Sequence, residues 1–491
     1  MKARTVRSAG RRLAPRPMAV RAPLFAALAL GALGAGQAAI AQDEPSAPSI
    51  AASYWTAASV YWQPNAVDAF AAAGLRGGVA LDGSVLGDSA GGGLGLRLSL
   101  EAYSNFSGAA DSATWTFTQP DPLSLVAAGN GRLEGALDLK EAWVDFALGD
   151  ADVRLGKQLF AWGLADGNNP TDNINARHVG TRLVSTLDEQ KMGAIAANVV
   201  YNLPGNSGSV QGVFLPISVP NDMPSMAMDL TSSGMHIVLK DDVVPAIALD
   251  NVEGGLRALF YTGNLSFSAS WLSYLDRYPD YKVVSSFTPP STTTVVLTPF
   301  HGRVNQFGLD AAYLTGGFDL RTEWAFTLSG DTSGNDPAVR NSSLTGVVQA
   351  TRSFLDGALS TSLAWAPRLV IGHMKPADYA TQGDRYLADM LAGYNGQAYA
   401  FEQMGSVRIA GKLLNETVQP EALFLASLEA RDFLATASLA YNLADGLNLK
   451  AGGGLYGSFR SPGDPEREWG LFSNSRTIDK SYLFVELRLS L

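Results

Sequence analysis

Apolar and polar residues alternate with a period of two from about residue 92 to the last residue. In the final segment the residues on one face of the expected strand are all aliphatic: Leu483, Val485, Leu487, Leu489 and Leu491. Glu486 and Arg488 lie on the opposite face. Segment 317–327 repeats this pattern, with Phe318, Leu320, Trp324 and Phe326 opposite Asp319, Arg321 and Glu323. Strands with one apolar and one charged face are typical of a barrel wall with lipid outside and water inside.

The expected connections alternate between short and long. Short turns fall at 149–150, 204–205, 262–264, 316–317, 356–357, 415–416 and 445–446, and several contain the glycine typical of hairpins. Long loops fall at about 106–130, 163–190, 218–252, 277–302, 330–341, 372–404 and 460–480, and one short outer connection lies near 430–431. A change of phase between Leu139 and Ala142 predicts a β-bulge.

The strands between these connections number sixteen. They start near residues 92, 131, 151, 192, 206, 253, 264, 303, 317, 342, 357, 405, 417, 432, 446 and 481. We therefore expect an all-β fold, a transmembrane antiparallel β-barrel of about 16 strands (14–18 possible), with short periplasmic turns and long outer loops. A soluble β-sandwich or a secreted β-solenoid is the alternative.

The N-terminus has the order of a secretory signal peptide. Seven basic residues up to Arg21 precede an apolar run at 24–33, and Ala39-Ile40-Ala41 offers a cleavage site. A short N-terminal membrane anchor is the alternative. We expect residues 1–41 to be the signal peptide, 42–91 a periplasmic N-terminal segment or partial plug, and 92–491 the barrel. The signal peptide predicts export. No run of 18 apolar residues follows residue 42, so the mature chain can span a membrane only as a closed barrel, which predicts location in a bacterial outer membrane.

The composition of the chain excludes several kinds of site and partner. The chain has no cysteine, which excludes disulfides, thiol nucleophiles and cysteine-ligated metals. Its formal net charge is −10, which argues against a nucleic-acid partner. The expected partners are outer-membrane lipid and lipopolysaccharide, the barrel-assembly machinery, and a small or apolar solute.

The most specific sequence string lies in 140–172. It comprises Lys140-Glu141-Ala142-Trp143-Val144-Asp145, Gly156-Lys157-Gln158, Trp162-Gly163, Asp166-Gly167 and Thr171-Asp172. The string resembles a family of poorly characterised bacterial outer-membrane barrels, including spirochaete-type ones, and the resemblance covers 92–491. That family is broadly similar to long-chain fatty-acid outer-membrane channels, which implies an apolar substrate. The chain departs from many outer-membrane barrels by ending in Leu491 rather than an aromatic residue.

Charged and amide residues on the polar faces are candidates for lining the lumen. They are Glu141, Asp145, Arg154, Gln158, Asp319, Arg321, Glu323, Glu486 and Arg488. Two interpretations are open: these residues determine which solutes pass through a channel, or they form a solvated inner wall without solute specificity. The oxygen-rich loop 163–190, with Asp166, Asn168, Asn169, Asp172 and Asn173, has three interpretations: a Ca²⁺ site, an ordinary turn, or a loop that folds into the lumen and narrows it.

The loop 218–252 is rich in methionine. Met223, Met226, Met228 and Met235 are four of the ten methionines of the chain. Such a cluster suits irregular apolar ligands, so these four are candidates for holding an apolar solute. The alternative is packing on the barrel rim.

The sequence favours a channel over an enzyme. The four histidines, His178, His236, His301 and His373, lie in or beside outer loops, and no H-E-x-x-H motif occurs. We expect passive passage of small or hydrophobic solutes, without a cofactor or metal. The alternatives are a structural or surface-adhesion barrel and, behind it, an outer-membrane hydrolase.

Overall fold

The computed structural model describes residues 49–63, 70–84, 94–107, 124–129, 133–165, 169–178, 189–221, 229–232, 235–240, 243–288, 292–392, 397–473 and 481–491. Within these residues, eighteen antiparallel strands form a closed barrel, in which each wall strand pairs with the next wall strand along the chain. The last strand pairs with the first, with Val485 opposite Val60, and this pairing closes the ring.

The wall strands, in order around the barrel, are β1 (Ser49–Gln63), β2 (Phe70–Ser84), β3 (Leu94–Ser107), β5 (Leu133–Leu148), β6 (Ala151–Gln158), β7 (Ala194–Asn202), β8 (Gly208–Leu215), β11 (Glu253–Thr262), β12 (Leu265–Leu275), β15 (Arg303–Thr315), β16 (Phe318–Leu328), β17 (Ser343–Phe354), β18 (Leu359–Val370), β19 (Phe401–Gly411), β20 (Val418–Ser427), β21 (Asp432–Ala444), β22 (Leu447–Ser458) and β23 (Tyr482–Ser490). A short strand, β4 (Ser124–Gly129), adds to the outer part of β5.

The barrel has eighteen strands, which is the upper end of the expected range of 14–18; the expected number of about sixteen is wrong. Each of the sixteen expected strands has a counterpart that starts within a few residues of its predicted position. The two additional strands are β1 and β2, which lie in the segment that we expected to be periplasmic or a partial plug. Alternation is weak in β1 because its inward face carries the aromatic residues Trp55 and Tyr61. These rings pack against Arg488 and Tyr482 of β23. The inward face of β1 therefore lacks the polar residues that would alternate with the apolar residues of the outward face.

The expected bulge in β5 is confirmed. Ser99 of β3 lies opposite Glu141, and the next residue, Leu100, lies opposite Leu139. Lys140 therefore has no residue opposite it in the ladder. The extra residue resets the phase, so that Asp138 and Glu141 both point to the interior.

The two faces of the wall differ as the alternation predicts. In β23, Leu483 is 51% exposed and Glu486 only 9%. Aromatic side chains are exposed on the outward face near the short turns, at Tyr201, Tyr313, Phe318, Phe354 and Tyr441. Others are exposed towards the opposite strand ends, at Trp62, Phe214, Trp271 and Phe401. Two aromatic girdles separated by aliphatic side chains are typical of barrels that cross an outer membrane.

The long loops 218–252 and 277–302 contain a second, four-stranded sheet. Its strands are β9 (Asp229–Ser232), β10 (Met235–Leu239), β13 (Asp280–Thr288) and β14 (Thr292–Phe300). A helix, α1 (Gln382–Ala392), packs Leu387 and Leu391 in the same apolar cluster as Tyr281 and Leu297. Short 3₁₀ turns lie at Pro204–Asn206, Leu249–Asn251, Leu355–Gly357, Pro376–Asp378 and Pro465–Trp469. Across the described ranges, no helix has the length and apolar character needed to cross a bilayer.

Candidate functional site: a segment folded into the lumen

The connection between β6 and β7, residues 159–193, is here called the inward segment. Its described parts are 159–165, 169–178 and 189–193. The outgoing and returning arms pair briefly, because His178 N donates to Gln190 O at 2.8 Å and Met192 N donates to Ala176 O at 2.8 Å. The segment thus doubles back on itself before the chain enters β7.

The described parts of the inward segment lie inside the barrel. Its residues contact inward-facing side chains of strands far apart around the ring: Gln211 of β8, Gln306 of β15, Glu323 of β16 and Arg488 of β23. A segment outside a closed wall has no access to all of these side chains. Of the three interpretations of loop 163–190, the structure therefore shows the one in which the loop folds into the lumen.

Glu323 is the main anchor of the inward segment on the wall. Its Oε1 accepts hydrogen bonds from the backbone N–H and the hydroxyl of Thr171, both at 2.8 Å. Its Oε2 accepts from the N–H groups of Leu164 at 3.0 Å and Ala165 at 3.2 Å. Gly163 leaves room for this carboxylate, since a Cβ there would lie 2.6 Å from its Cδ. Two oxygens with four donors form a fully satisfied buried carboxylate, which orders the segment.

The residues of the motif string have structural roles in this segment. Trp162 Nε1 donates to Gln211 Oε1 at 3.0 Å, and its ring belongs to an apolar cluster inside the barrel with Phe160, Ile174 and Leu272. Gln158, which is 1% exposed, donates from Nε2 to Ala196 O at 3.1 Å. Within the described part of the string, Trp162 and Thr171 therefore attach the inward segment to the wall.

Asp172 joins the two arms of the segment. Its carboxylate pairs with Lys191 at 2.7 Å and with Arg177 at 3.2 Å. These two ion pairs occupy a carboxylate that the Ca²⁺ interpretation requires as a metal ligand. Asp166 and Asn168 lie outside the described residues. Within the described ranges, no cluster of three histidine or acidic side chains could hold a metal ion.

The returning arm is attached to the opposite side of the barrel. Glu189 pairs with Arg488 at 2.8 Å and with Arg76 at 3.4 Å. Arg76 also pairs with Glu486 at 2.6 Å. Lys140, the bulged residue of β5, donates to Glu189 O at 3.4 Å. The segment therefore spans the lumen from β16 to the region where β23, β1 and β2 meet.

Sequence reasoning missed a second anchor, the buried pair of Glu253 and Arg277. Their side chains meet at 2.6 Å, and Arg277 also donates to Ile174 O at 2.7 Å and to Asn173 O at 3.2 Å. The only signal in the sequence is position. Glu253 begins β11 and Arg277 follows β12 by two residues, so both were assigned to strand boundaries rather than to the lumen.

The nine candidate lining residues all lie on the inward side of the wall, but their surroundings differ. Arg154 and Asp145 pair at 3.0 Å with side chains about a third exposed, and Arg321 and Asp319 pair at 2.7 Å in a similar setting. Glu141 pairs with Arg97 at 2.8 Å. Glu323, Gln158 and Glu486 are buried, whereas Arg488 remains partly exposed. Whether these residues set selectivity stays a prediction.

The structure does not describe the side chains of the four methionine candidates. Met223, Met226 and Met228 lie outside the described residues. Met235 begins β10, where its backbone lies opposite Thr293, and its side chain is outside the description.

The histidines with described side chains lie apart and have separate partners. His178 Nε2 is 3.3 Å from Asp138. His301 Nδ1 lies 2.6 Å from Asp276 O, and His373 Nε2 lies 2.9 Å from Gln397 O. Each of these contacts ties one strand or loop to another, which is a structural role.

A polar cluster joins the outer sheet to the rim of the barrel. The guanidinium of Arg340 pairs with Asp276, and its backbone N–H donates to Asp280 Oδ1 at 2.9 Å. Burial raises the pKa of Asp280 to about 6, and the positive charge of Arg340 opposes that rise. The charge of this carboxyl group therefore changes in mildly acidic solution.

Comparisons with known proteins give only distant likenesses. No family model matches the chain, and no curated protein matches its sequence. Pseudomonas aeruginosa OccK7 (OpdD) has a TM-score of 0.48 at 11% identity, covering 91% of this chain and 99% of that one. Pseudomonas aeruginosa OccK9 (OpdG) has a TM-score of 0.48 at 15% identity, covering 90% and 97%. A triple mutant of Rh. blastica porin has a TM-score of 0.38 at 11% identity, covering 90% and 100%.

At these identities and TM-scores the likeness carries no argument about function. The similarity to long-chain fatty-acid channels is not confirmed and stays a prediction.

Proposed function

We propose that the chain is a passive channel of a bacterial outer membrane, in which the inward segment narrows a water-filled lumen and selects among small solutes. The observation that carries the proposal is the attachment of this segment to Glu323 across the lumen. Inward-facing charges on other wall strands remain accessible. In the pair of Arg408 of β19 and Glu421 of β20, for example, the side chains are 47% and 37% exposed. A narrowed path with accessible charges selects by size and charge.

Location in the outer membrane is part of the proposal. The aromatic girdles and the aliphatic outward face support it, as does the sequence of the signal peptide. N-terminal sequencing of protein from the membrane fraction should begin near Gln42, and a sequence beginning at Met1 would count against cleavage.

Planar-bilayer recording tests the channel. The refolded protein should give stepwise ionic currents, and Glu323→Gln should give larger steps. A glutamine keeps the size of the side chain but has one acceptor oxygen, so its NH₂ group faces N–H donors of the inward segment. Glu416→Gln, at an exposed short turn, is the matched control and should conduct like the wild type. A correctly folded wild type without current would contradict the proposal.

A hydrophobic solute is the second candidate, favoured by the four methionines of 223–235. Burial of apolar surface is favourable by roughly 25 cal/mol per Å², so this loop could hold such a solute at the outer mouth. Replacing all four by serine should then lower uptake of apolar compounds and leave small polar solutes unaffected. Unchanged apolar uptake at equal barrel abundance would leave the loop with a packing role.

A further inference from the structure

An apolar groove lies in the outward face of the wall, across strands β15, β16, β17 and β18. Its volume is about 490 Å³, which is in the range of small-molecule sites, roughly 300–1,000 Å³. The outward-facing walls of the groove are large apolar side chains, each more than a third exposed: Tyr313, Leu320, Val348, Leu363 and Trp365. In the proposed membrane location, this face of the wall contacts lipid.

The register of the four strands explains the groove. Ala350 lies between Leu320 and Leu363 in one rung of the sheet. Ala311 and Thr322 lie side by side in the next rung. These three small side chains leave space between the larger ones on either side, and all three are among the lining residues.

The size of the groove excludes a second copy of the chain as its occupant. The groove extends across four strands, which is about 14 Å, and along about 7 Å of each strand. This area, on the order of 100 Å², is far below the roughly 800 Å² per partner that a stable protein interface buries. A single acyl chain, by contrast, fits a narrow apolar groove of this kind.

A guanidinium group continues the groove towards the short turns. Arg352 lies two residues beyond Ala350 on the same face of β17, at a distance of about 7 Å along the strand. Its Cζ lies 4.7 Å from the ring centroid of Phe318 and 5.4 Å from that of Phe354. Both rings belong to the aromatic girdle near the short turns. Because such girdles lie at the membrane surface, Arg352 lies at the level of the lipid headgroups.

The positive charge of Arg352 has no carboxylate partner among the described residues. Its two cross-strand neighbours are Phe318 and Thr361. Lys412, at the same end of the barrel, instead pairs with Glu416 at 3.0 Å. A guanidinium fork at headgroup level suits a phosphate group, because two of its N–H groups can donate to two phosphate oxygens in one plane.

We infer that this part of the wall binds one anionic phospholipid, with its phosphate on Arg352 and one acyl chain in the groove. The inference rests on the membrane location within the proposed function, and it is independent of the passage of solutes. The site supplies one positive charge and, in the described part of the chain, no carboxylate that could bind the ammonium group of a zwitterionic headgroup. This difference favours phosphatidylglycerol over phosphatidylcholine.

Native mass spectrometry of the refolded protein tests the preference. The protein is extracted from vesicles that contain equal amounts of phosphatidylglycerol and phosphatidylcholine with identical acyl chains. The wild type should retain phosphatidylglycerol about tenfold better, because only this lipid adds a net charge to the hydrogen bonds of the guanidinium. Equal retention of the two lipids would overturn the inference.

Variants separate the two parts of the site. Arg352→Gln should remove the preference for phosphatidylglycerol, and Arg352→Lys, which keeps the charge without the fork, should retain part of it. Ala350→Leu fills the groove and should lower the retention of both lipids. Lys412→Gln is the matched control, since it removes a positive charge at the same end of the barrel and should leave the preference unchanged. A control that loses the preference as fully as Arg352→Gln would mean that overall charge, rather than this site, attracts the lipid.

Fluorescence in vesicles tests whether one lipid occupies both parts. Trp365 lies in the groove, so bromine atoms on an acyl chain bound there should quench its emission, measured as the difference between the wild type and Trp365→Phe. Brominated phosphatidylglycerol should quench this emission more than brominated phosphatidylcholine does, and Arg352→Gln should abolish the difference. Equal quenching by the two lipids in the wild type would contradict the site. Neither measurement uses ionic current, so a barrel without current would remove the channel and leave the lipid site standing.

Discussion

The barrel wall and the inward segment are held together by different kinds of hydrogen bond. In the wall, backbone ladders continue along each strand, as in β15 and β16, which pair from Asn305 opposite Leu328 to Thr315 opposite Phe318. In the described part of the inward segment, the contacts to the wall are made by a few side chains, above all Glu323 and Arg277.

This difference has a mechanical consequence. A ladder distributes its hydrogen bonds over many residues, and the loss of one side chain leaves the backbone pairing intact. A segment held by a few buried side chains depends on each of them. We therefore expect substitutions at the anchors to change the width of the path while the wall stays folded, and substitutions on the outward face to affect the wall itself.

The largest effect is expected at the pair of Arg277 and Glu253. Arg277→Met leaves Glu253 buried without its partner, which should cost about 3–5 kcal/mol and release the carbonyls of Asn173 and Ile174. Urea unfolding in lipid vesicles measures the cost. The double variant Arg277→Met/Glu253→Leu should recover much of it, because no unpaired charge remains. A double variant as unstable as the single one would show that the carbonyl contacts, rather than the ion pair, matter.

The next effect concerns the two faces of the wall. Leu487→Arg places a charge on the outward face of β23 and should cost about 2–4 kcal/mol near the bilayer midplane. Ser438→Arg, on the inward face of β21, should cost much less, because its cross-strand neighbour is Glu421. The measurement is again urea unfolding in vesicles. Equal costs would mean that the assignment of the faces is wrong.

A smaller effect is expected at Gly163. It has φ of +92°, and a Cβ there meets the carboxylate of Glu323, so Gly163→Ala should cost about 1–3 kcal/mol. It should raise the conductance as Glu323→Gln does. The double variant should conduct no more than either single one, because both break the same anchor. Additive increases would indicate independent attachments.

The smallest and most local effect is the pH response of the outer sheet. The pKa of Asp280 is about 6 in the folded chain, against 3.8 for the free side chain. Its contribution to stability is therefore fully present below about pH 4 and is lost as the pH rises through 6. Hydrogen exchange in 280–300 should be slower at pH 4.5 than at pH 7.5.

Asp280→Asn should remove most of this pH dependence. His301 lies close to the same cluster and stays intact in this variant. An unchanged pH response in Asp280→Asn would show that a group other than Asp280 controls the stability of the outer sheet.

The wall could be predicted from the sequence to a large extent, because period-two alternation and glycine-containing turns are local signals. They predicted sixteen of the strands and a bulge between Leu139 and Ala142. They failed for β1, whose inward face carries Trp55 and Tyr61, for its partner β2, and for the outer sheet within the expected loops.

The inward segment could be recognised only as one of three alternatives. Its anchors join residues far apart in the sequence, such as Thr171 and Glu323, and no local pattern records that contact. Glu323 and Arg321 look equivalent in the alternation of β16. Only the fold shows that the inward segment covers Glu323 completely, whereas Arg321 donates to Leu164 O of the same segment and stays partly exposed.

A reversible covalent link between the inward segment and the wall tests the central claim most directly. A Cβ on Gly308 of β15 would lie 3.3 Å from Cβ of Thr171, close to the ~3.5–4.5 Å of a disulfide. The chain has no other cysteine, so Thr171→Cys and Gly308→Cys can pair only with each other within one chain. The variant to record combines both cysteines with Glu323→Gln.

Single-channel current is recorded from this variant before and after reduction, with the bridge verified by mass spectrometry. If the position of the inward segment sets the width of the path, the oxidised channel should conduct at a low, wild-type level and reduction should raise the current. Variants with one cysteine should not respond. Equal currents in the oxidised and reduced states, with the bridge present, would contradict the claim that the inward segment controls passage.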